Sequence, residues 1–422
     1  MKNDPRLNGL DYLMLGFDHE LRRHGFAGNS CQIVLELDTA ITPEALQHRL
    51  AKLAQQFPVL NAKIAGWFKP KWKLPRGNPI APQVCVHDEN ADVRQKILNT
   101  PLAIQRGELM RFDLVRRAHG RMDVVFNWTH ALMDALAAEH FLAAVGDEKS
   151  NLLGTDSPPH RAGLSLFQRI KSGWKNLHQL DDFCKRPPRS LGHRQKGAPP
   201  QLFVHVEKFS GEETTRIRAN ATRYCGILGD AQFHATSSLM ELHRLHQRLY
   251  HPSPSYVLPV PVGLRTKGGL ENLFSNQVGM LMIQFFPENL DSLADAIAYL
   301  KTQTVQAMRD GLLESGLILS ELFRFLPLPV FAAALKRGLR GEICSLFFGD
   351  TAVVNPRLEN FLGATVRDCT HVAAVTPSPG IGTIFYYFRG ELRLTVVHAA
   401  TVLSRAEAVE FAAGLRHRLL NP

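Results

Sequence analysis

From Cys31 onward, strand-like runs alternate with helix-like runs in two stretches separated by an irregular basic segment. That alternation restricts the chain to a mixed α/β architecture. Cys31 to Asp38 (CQIVLELD) reads as a strand. Thr42-Pro43-Glu44 then opens a helix, with threonine as cap and proline at the first helical position. Leu46, Leu50, Leu53 and Phe57 give this helix an apolar face. Met110 to Arg116 and Met122 to Thr129 pair as strands around a turn at Gly120, and a further helix ends near Gly146. Residues 147–200 are rich in Pro, Ser, Gly, Arg and Lys, and read as a crossover holding a basic amphipathic helix at 164–177. The alternation resumes with a strand at Leu202 to Phe209 and a capping box, Ser210-Gly211-Glu212-Glu213. A helix from Asp230, strands at Tyr256 to Val262 and Val278 to Phe286, and a helix from Asp291 follow. The chain closes with a hairpin turning at Arg389-Gly390 and a helix opened by Ser404-Arg405-Ala406-Glu407. The expected architecture is two α/β lobes with mixed sheets: residues 1–160, a linker at 161–200, and residues 201–422.

With 422 residues, 45% of them hydrophobic and 21% charged, the chain reads as globular. Its formal net charge of +10 favours anionic partners without choosing among nucleic acid, CoA phosphates, an acidic carrier protein and an anionic membrane surface. The six cysteines form no CxxC, which argues against a zinc site and against a secreted disulfide framework. Reduced thiols in a cytoplasmic protein are the expectation. The N-terminus lacks the apolar core of a signal peptide. The most apolar stretch, Leu312 to Phe348, is broken by Glu314, Glu321, Arg324, Pro327, Pro329, Lys336, Arg337 and Arg340, so buried helices with basic ends outrank a membrane surface there. Trp67-Phe68-Lys69-Pro70-Lys71-Trp72-Lys73 reads as a decorated hairpin tip rather than a base-stacking platform.

Several common chemistries have no support. There is no GxSxG elbow, no Walker A lysine and no GxGxxG after a strand. His243 and His246 share a helix face with Arg244 and Arg248, which reads as a solvated basic face and not as a metal site. The candidate for chemistry is the pentad His130-Ala131-Leu132-Met133-Asp134, placed where a strand ends and a helix begins. An imidazole at such a junction is able to face a cleft and exchange protons near neutral pH.

The order of motifs resembles the superfamily of thioester-dependent acyltransferases built on the chloramphenicol acetyltransferase fold. This group includes condensation domains of nonribosomal peptide synthetases, plant HxxxD acyltransferases, and wax ester synthase/diacylglycerol acyltransferases. Leu10-Asp11 resembles the opening of that family, Ala54 to Leu60 its "rhPlLr" segment, and Gly107-Glu108-Leu109-Met110-Arg111 its "GplxR". Thr129-His130-Ala131-Leu132-Met133-Asp134-Ala135 stands where the family has HHxxxDG. Gly229-Asp230 resembles its "ND", Pro261-Val262-Gly263-Leu264-Arg265 its "PVxxR", and Asn276-Gln277-Val278-Gly279 its "GNxxG". Thr351 to Pro356 with Phe361 to Ala364 resembles the "vsNvPg…fxGa" region.

The resemblance implies two lobes with a central channel between them and His130 as general base at its middle. It implies an acyl-CoA or acyl-carrier thioester as donor and no permanently bound cofactor or metal. It further implies that Asp134 pairs with Arg265 to hold the catalytic loop, and that Thr129, Ala135 and Asn276 border the channel, with Asn276 supporting its wall or an oxyanion. Physics favours the ion pair, because a lone buried carboxylate is expensive. Thr129 replaces the family's first histidine, and Ala135 its glycine, where an added methyl would narrow the site or mark a degenerate one. The expected acceptor is a hydroxyl of a hydrophobic or lipid-like molecule, with peripheral membrane contact. The alternatives are a free-standing amide synthase fed by an acyl or peptidyl carrier protein, and a silent family member that binds or scaffolds. No specific nucleic-acid partner is expected.

Overall fold

Apolar runs assemble into two main sheets in the computed structural model, which describes residues 7–66, 70–147, 166–192, 194–265, 273–337 and 340–422, without the side chains of 166–171 and 337. The first sheet has six strands in the order Asn360–Phe361, Ala364–Val372, Ser30–Leu37, Met122–Thr129, Met110–Arg116, Gln83–Asp88. All neighbours are antiparallel except the last pair. The central strand Met122–Thr129 is buried at every position, which explains why its apolar residues do not alternate with exposed polar ones. Its polar residues are satisfied sideways: Asn127 accepts from Gln32 Nε2 at 2.6 Å and donates to Asp113 at 2.7 Å, and Asp123 accepts from Arg94 at 2.6 Å.

The second sheet runs Phe347–Val353, Ile381–Phe388, Glu391–Ala399, Leu202–Lys208, with only the first pair parallel. Tyr256–Gly263 and Val278–Phe285 form a separate antiparallel ribbon. Among the described residues the two large hydrophobic cores lie one around Phe112, Phe126, Trp128 and Phe141, the other around Phe233, Tyr256, Phe285 and Phe385. The architecture is therefore the expected mixed α/β one with two lobes. The strand Ala364–Val372 crosses from the second half of the sequence to complete the first sheet, beside Ser30–Leu37. Strand-helix alternation alone carries no signal for such a crossing, because register and partner choice are tertiary properties.

The helix Gly9–Arg23 begins with a reciprocal capping box between Asn8 and Asp11. It lies across two helices of the 312–348 segment, Leu312–Phe323 and Leu328–Arg337. Tyr12 stacks on Phe331 with ring centroids 5.2 Å apart and donates its hydroxyl to Leu326 O at 2.6 Å. Lys336 reaches Glu20 at 2.6 Å. A Cβ at Gly9 would stand 2.4 Å from Ser320 Oγ, so only glycine permits this approach. Leu317, Ile318, Leu319 and Phe331 are buried, so most of this apolar stretch is used for internal packing. The helix Leu166–Phe183 is anchored on the same segment, since Asn176 Nδ2 donates to Leu312 O at 2.7 Å and Ser315 Oγ to Ser172 O at 2.6 Å. Trp174 and Leu177 remain exposed. Among the described residues, no helix is long and apolar enough to cross a membrane.

Two expectations need correction. Trp72 is not at a decorated tip: it lies in the short strand Lys71–Lys73 and is buried in the first core, while residues 67–69 fall outside the described residues. Nor is His246 on a solvated face. It is buried with Nδ1 2.6 Å from His251 O, and burial pulls its pKa down to about 4. The residues 148–165, inside the expected crossover, also lie outside the described residues.

Candidate active site

His130 begins the turn between the strand Met122–Thr129 and the helix Ala135–Gly146. Its main-chain N–H donates to Asn29 O at 3.0 Å, and Leu132 N–H closes the turn on Thr129 O at 3.0 Å. Trp128 Nε1 donates across the loop to Met133 O at 3.1 Å. Asp134 caps the helix that follows, its Oδ1 accepting from Ala137 N at 2.9 Å. At the far end Arg49 donates to Ala144 O and Asp147 O, at 2.6 and 2.8 Å, satisfying carbonyls that a helix C-terminus leaves open. The turn is thus bounded by a fully buried strand and a helix capped at both ends.

Asp134 has a second set of partners. Its Oδ2 accepts from Arg265 at 2.9 Å and from Gln277 N at 2.9 Å, and Arg265 also donates to Ser275 O at 3.1 Å. The structure therefore brings Asp134 and Arg265 together across 131 residues of sequence. Both partners are largely buried, so removal of one costs the other a close counter-charge.

Asn276 faces the main chain of the His130 loop. It is buried, and its Nδ2 donates to Asp11 Oδ1 at 2.9 Å and to His130 O at 2.8 Å. Both amide hydrogens are used, so Asn276 supports the histidine's main chain and offers no donor to an oxyanion in this arrangement. Of the other two residues expected to border a channel, Ala135 is partly exposed, while Thr129 is buried with an enclosed, unpaired hydroxyl. Sequence reasoning missed Asp11 as a partner of this site, along with Asn29 and Gln277. Leu10-Asp11 carried a motif signal, but nothing local links it to a residue 265 positions away.

The His130 residue keeps partial exposure although Ala131 to Asp134 are buried. Its Nδ1 is enclosed and unpaired, so the accessible surface lies elsewhere on the residue. Burial pulls the imidazole pKa down, but the Cys31 sulfur, the residue's own carbonyl and the Asp134 carboxylate favour the charged form and carry it up to about 9.

Around the next helical turn, Glu139 is fully buried and accepts from Asn355 N at 2.8 Å. Burial pushes its carboxyl up to about 8. His371 Nε2 lies 3.6 Å from Glu139 Oε1, and burial pulls that imidazole down to about 4. Asn355 also contacts His140 Nδ1 at 3.1 Å and lines a cavity of about 490 Å³ with Val353, Pro356, Phe388 and Arg389.

No model of a known protein family matches the sequence, and no curated protein matches it either. Solved structures do match in shape. The TRI3 trichothecene 15-O-acetyltransferase of Fusarium sporotrichioides shares 14% identity at a TM-score of 0.71, over 98% of this chain and 94% of that one. The first condensation domain of the calcium-dependent antibiotic synthetase shares 15% identity at a TM-score of 0.69, over 100% and 97%. The condensation domain of the Monacolin K polyketide synthase MokA shares 15% identity at a TM-score of 0.66, over 99% and 98%. At these identities the likeness establishes the fold, which is the two-lobed chloramphenicol acetyltransferase-like one.

Proposed function

We propose that the protein is an acyltransferase that moves an acyl group from a CoA or carrier-protein thioester to a hydroxyl of a hydrophobic acceptor, with His130 as general base. The observation that carries this reading is the placement of His130 itself. It is a partly exposed residue at a strand end, with its main chain hydrogen-bonded on both sides, in a fold shared with an O-acetyltransferase and with condensation domains.

In the proposed step a ring nitrogen of His130 takes the acceptor's hydroxyl proton as its oxygen attacks the thioester carbonyl carbon. The tetrahedral intermediate then expels the thiolate as the carbon–sulfur bond breaks, and the imidazolium returns the proton to that sulfur. Atoms and charge balance with donor and acceptor alone. General-base assistance of this kind contributes roughly 10²–10⁴-fold, and alignment of the two reactants contributes further. Asp134 has no part in the proton transfer in this account, since both its oxygens are committed to Ala137, Gln277 and Arg265.

The test is product analysis. The protein is mixed with acetyl-, octanoyl- and palmitoyl-CoA and a panel of alcohols and amines, and free thiol and acylated product are measured together. Ester and thiol appearing in equal amounts support the proposal. Amide in place of ester would move the protein to the second reading, condensation-type synthesis, which the condensation domains among the neighbours favour. Ligand binding without any thiol release from CoA or carrier-bound donors would contradict both.

A further inference from the structure

We infer that the N-terminal helix Gly9–Arg23 is a two-point clamp on the His130 main chain, with Asp11 and Asp18 as positioning residues that act through Asn276 and Asn29. The inference rests on the reading of His130 as the base. The two aspartates are seven residues apart, two helical turns, which places both carboxylates on one face. Both are buried.

The first grip holds the His130 carbonyl. Asp11 Oδ1 accepts from Asn276 N at 2.8 Å and from its Nδ2 at 2.9 Å, and the remaining Nδ2 hydrogen goes to His130 O at 2.8 Å. Asn8 closes this corner, its Nδ2 donating to Asn276 O at 3.1 Å. The second grip holds the His130 N–H. Asp18 Oδ1 accepts from Asn29 N at 2.8 Å, Asn29 Nδ2 donates to Met14 O at 3.1 Å on the same helix, and Asn29 O receives the His130 N–H at 3.0 Å. Gly28 makes this approach feasible. Its φ is +104°, and a Cβ there would stand 2.4 Å from Asp18 Oδ1.

Carboxylates suit both positions because each must accept on both oxygens. Asp11 Oδ2 takes Asn8 N at 2.9 Å, and Asp18 Oδ2 takes Arg22 Nε at 2.8 Å. An amide would turn a donor toward one of those N–H groups. With both main-chain polar groups of His130 tied to one helix, the ring's origin is fixed from outside its own loop. Displacement of a reacting group by about 1 Å costs on the order of 10²-fold in rate.

The experiment compares Asp11→Asn, Asp18→Asn and the swapped pair Asp11→Asn/Asn276→Asp with the unaltered protein. Thiol release from octanoyl-CoA with 1-octanol is read beside the NMR titration of the His130 ring, assigned by its loss in His130→Gln. The clamp predicts that each single variant loses about 10–100-fold in kcat with KM within about threefold. It also predicts that the ring titration moves. The swapped pair restores a donor–acceptor contact between positions 11 and 276, but it turns an amide donor toward Asn8 N–H and a carboxylate toward His130 O. It leaves no donor for His130 O, so the ring titration stays displaced.

Titration curves and kcat that coincide with the unaltered protein in both single variants would overturn the clamp, as would full recovery in the swapped pair. If no thiol release occurs even in the unaltered protein, the base reading fails while the ring titration still judges the clamp. Should the variants not fold, amide exchange of His130 in the unaltered protein decides. Protection equal to that of the strand Met122–Thr129 supports the clamp, and exchange as fast as an open turn overturns it.

Discussion

Two histidines belong to the same six-stranded sheet and have opposite chemistry. His371 lies within the strand Ala364–Val372, and His130 follows the end of the strand Met122–Thr129. His371 is buried, stacks on Tyr386 at 4.8 Å, and is held at about 4 by burial alone. Glu139, the nearest carboxyl, does not offset that burial, because its own pKa is pushed up and it stays protonated at neutral pH. His130 is subject to the same penalty but has Cys31, its own carbonyl and Asp134 to counter it, and it keeps a route to solvent. Burial silences an imidazole. Charged company and an opening keep it able to exchange protons.

The largest expected effect separates the two directly. His130→Gln should lower thiol release by at least about 10²-fold, whereas His371→Asn should leave it within about threefold. Equal losses in both would erase the distinction. Next in size is Asp134→Asn, which leaves the Arg265 guanidinium buried without its carboxylate. It should lower unfolding free energy in urea by about 3–5 kcal/mol, and Asp134→Asn/Arg265→Met should recover part of that loss.

A smaller effect tests the company that His130 keeps. The base works deprotonated, so a raised pKa means that the rate climbs as pH rises toward about 9. Cys31→Ala removes the sulfur that favours the imidazolium, so the rising limb should move to lower pH, toward the behaviour of His371. A limb that stays in place would show that Cys31 does not raise the pKa of the His130 ring. The smallest effect concerns Thr129, whose hydroxyl is enclosed without a partner. Thr129→Val should stabilise by up to about 1 kcal/mol in thermal unfolding and leave thiol release within about threefold. A large loss of rate would return Thr129 to the substrate's path.

Legibility in the sequence followed the range of the interactions. The strand Met122–Thr129, the helix that Asp134 caps and the capping boxes at Ser210 and Ser404 are local patterns, and each is present. The pair Asp134–Arg265 became an expectation only because a resemblance supplied the distant partner. Asp11 and Gln277 lay in resembling motifs that named no distant partner, and Asn29 lay in none. A buried carboxylate that holds a main-chain N–H far along the chain leaves no periodicity to read. Asn276 was singled out with two tasks open, and only its hydrogen bonds turn it from an oxyanion toward the loop's main chain, since sequence does not reveal which way an amide's two hydrogens point. Trp72 and His246 erred in the same direction. Polar neighbours in sequence implied exposure, and the core took both side chains.

The most direct measurement of the central claim is the pH dependence of a single turnover, acyl-CoA plus alcohol to ester plus thiol, set beside the titration of the His130 ring in the same sample. The rate should rise along the deprotonation curve of that ring and level off where the ring is neutral. A rate that is flat across the ring's titration would contradict His130 as the base.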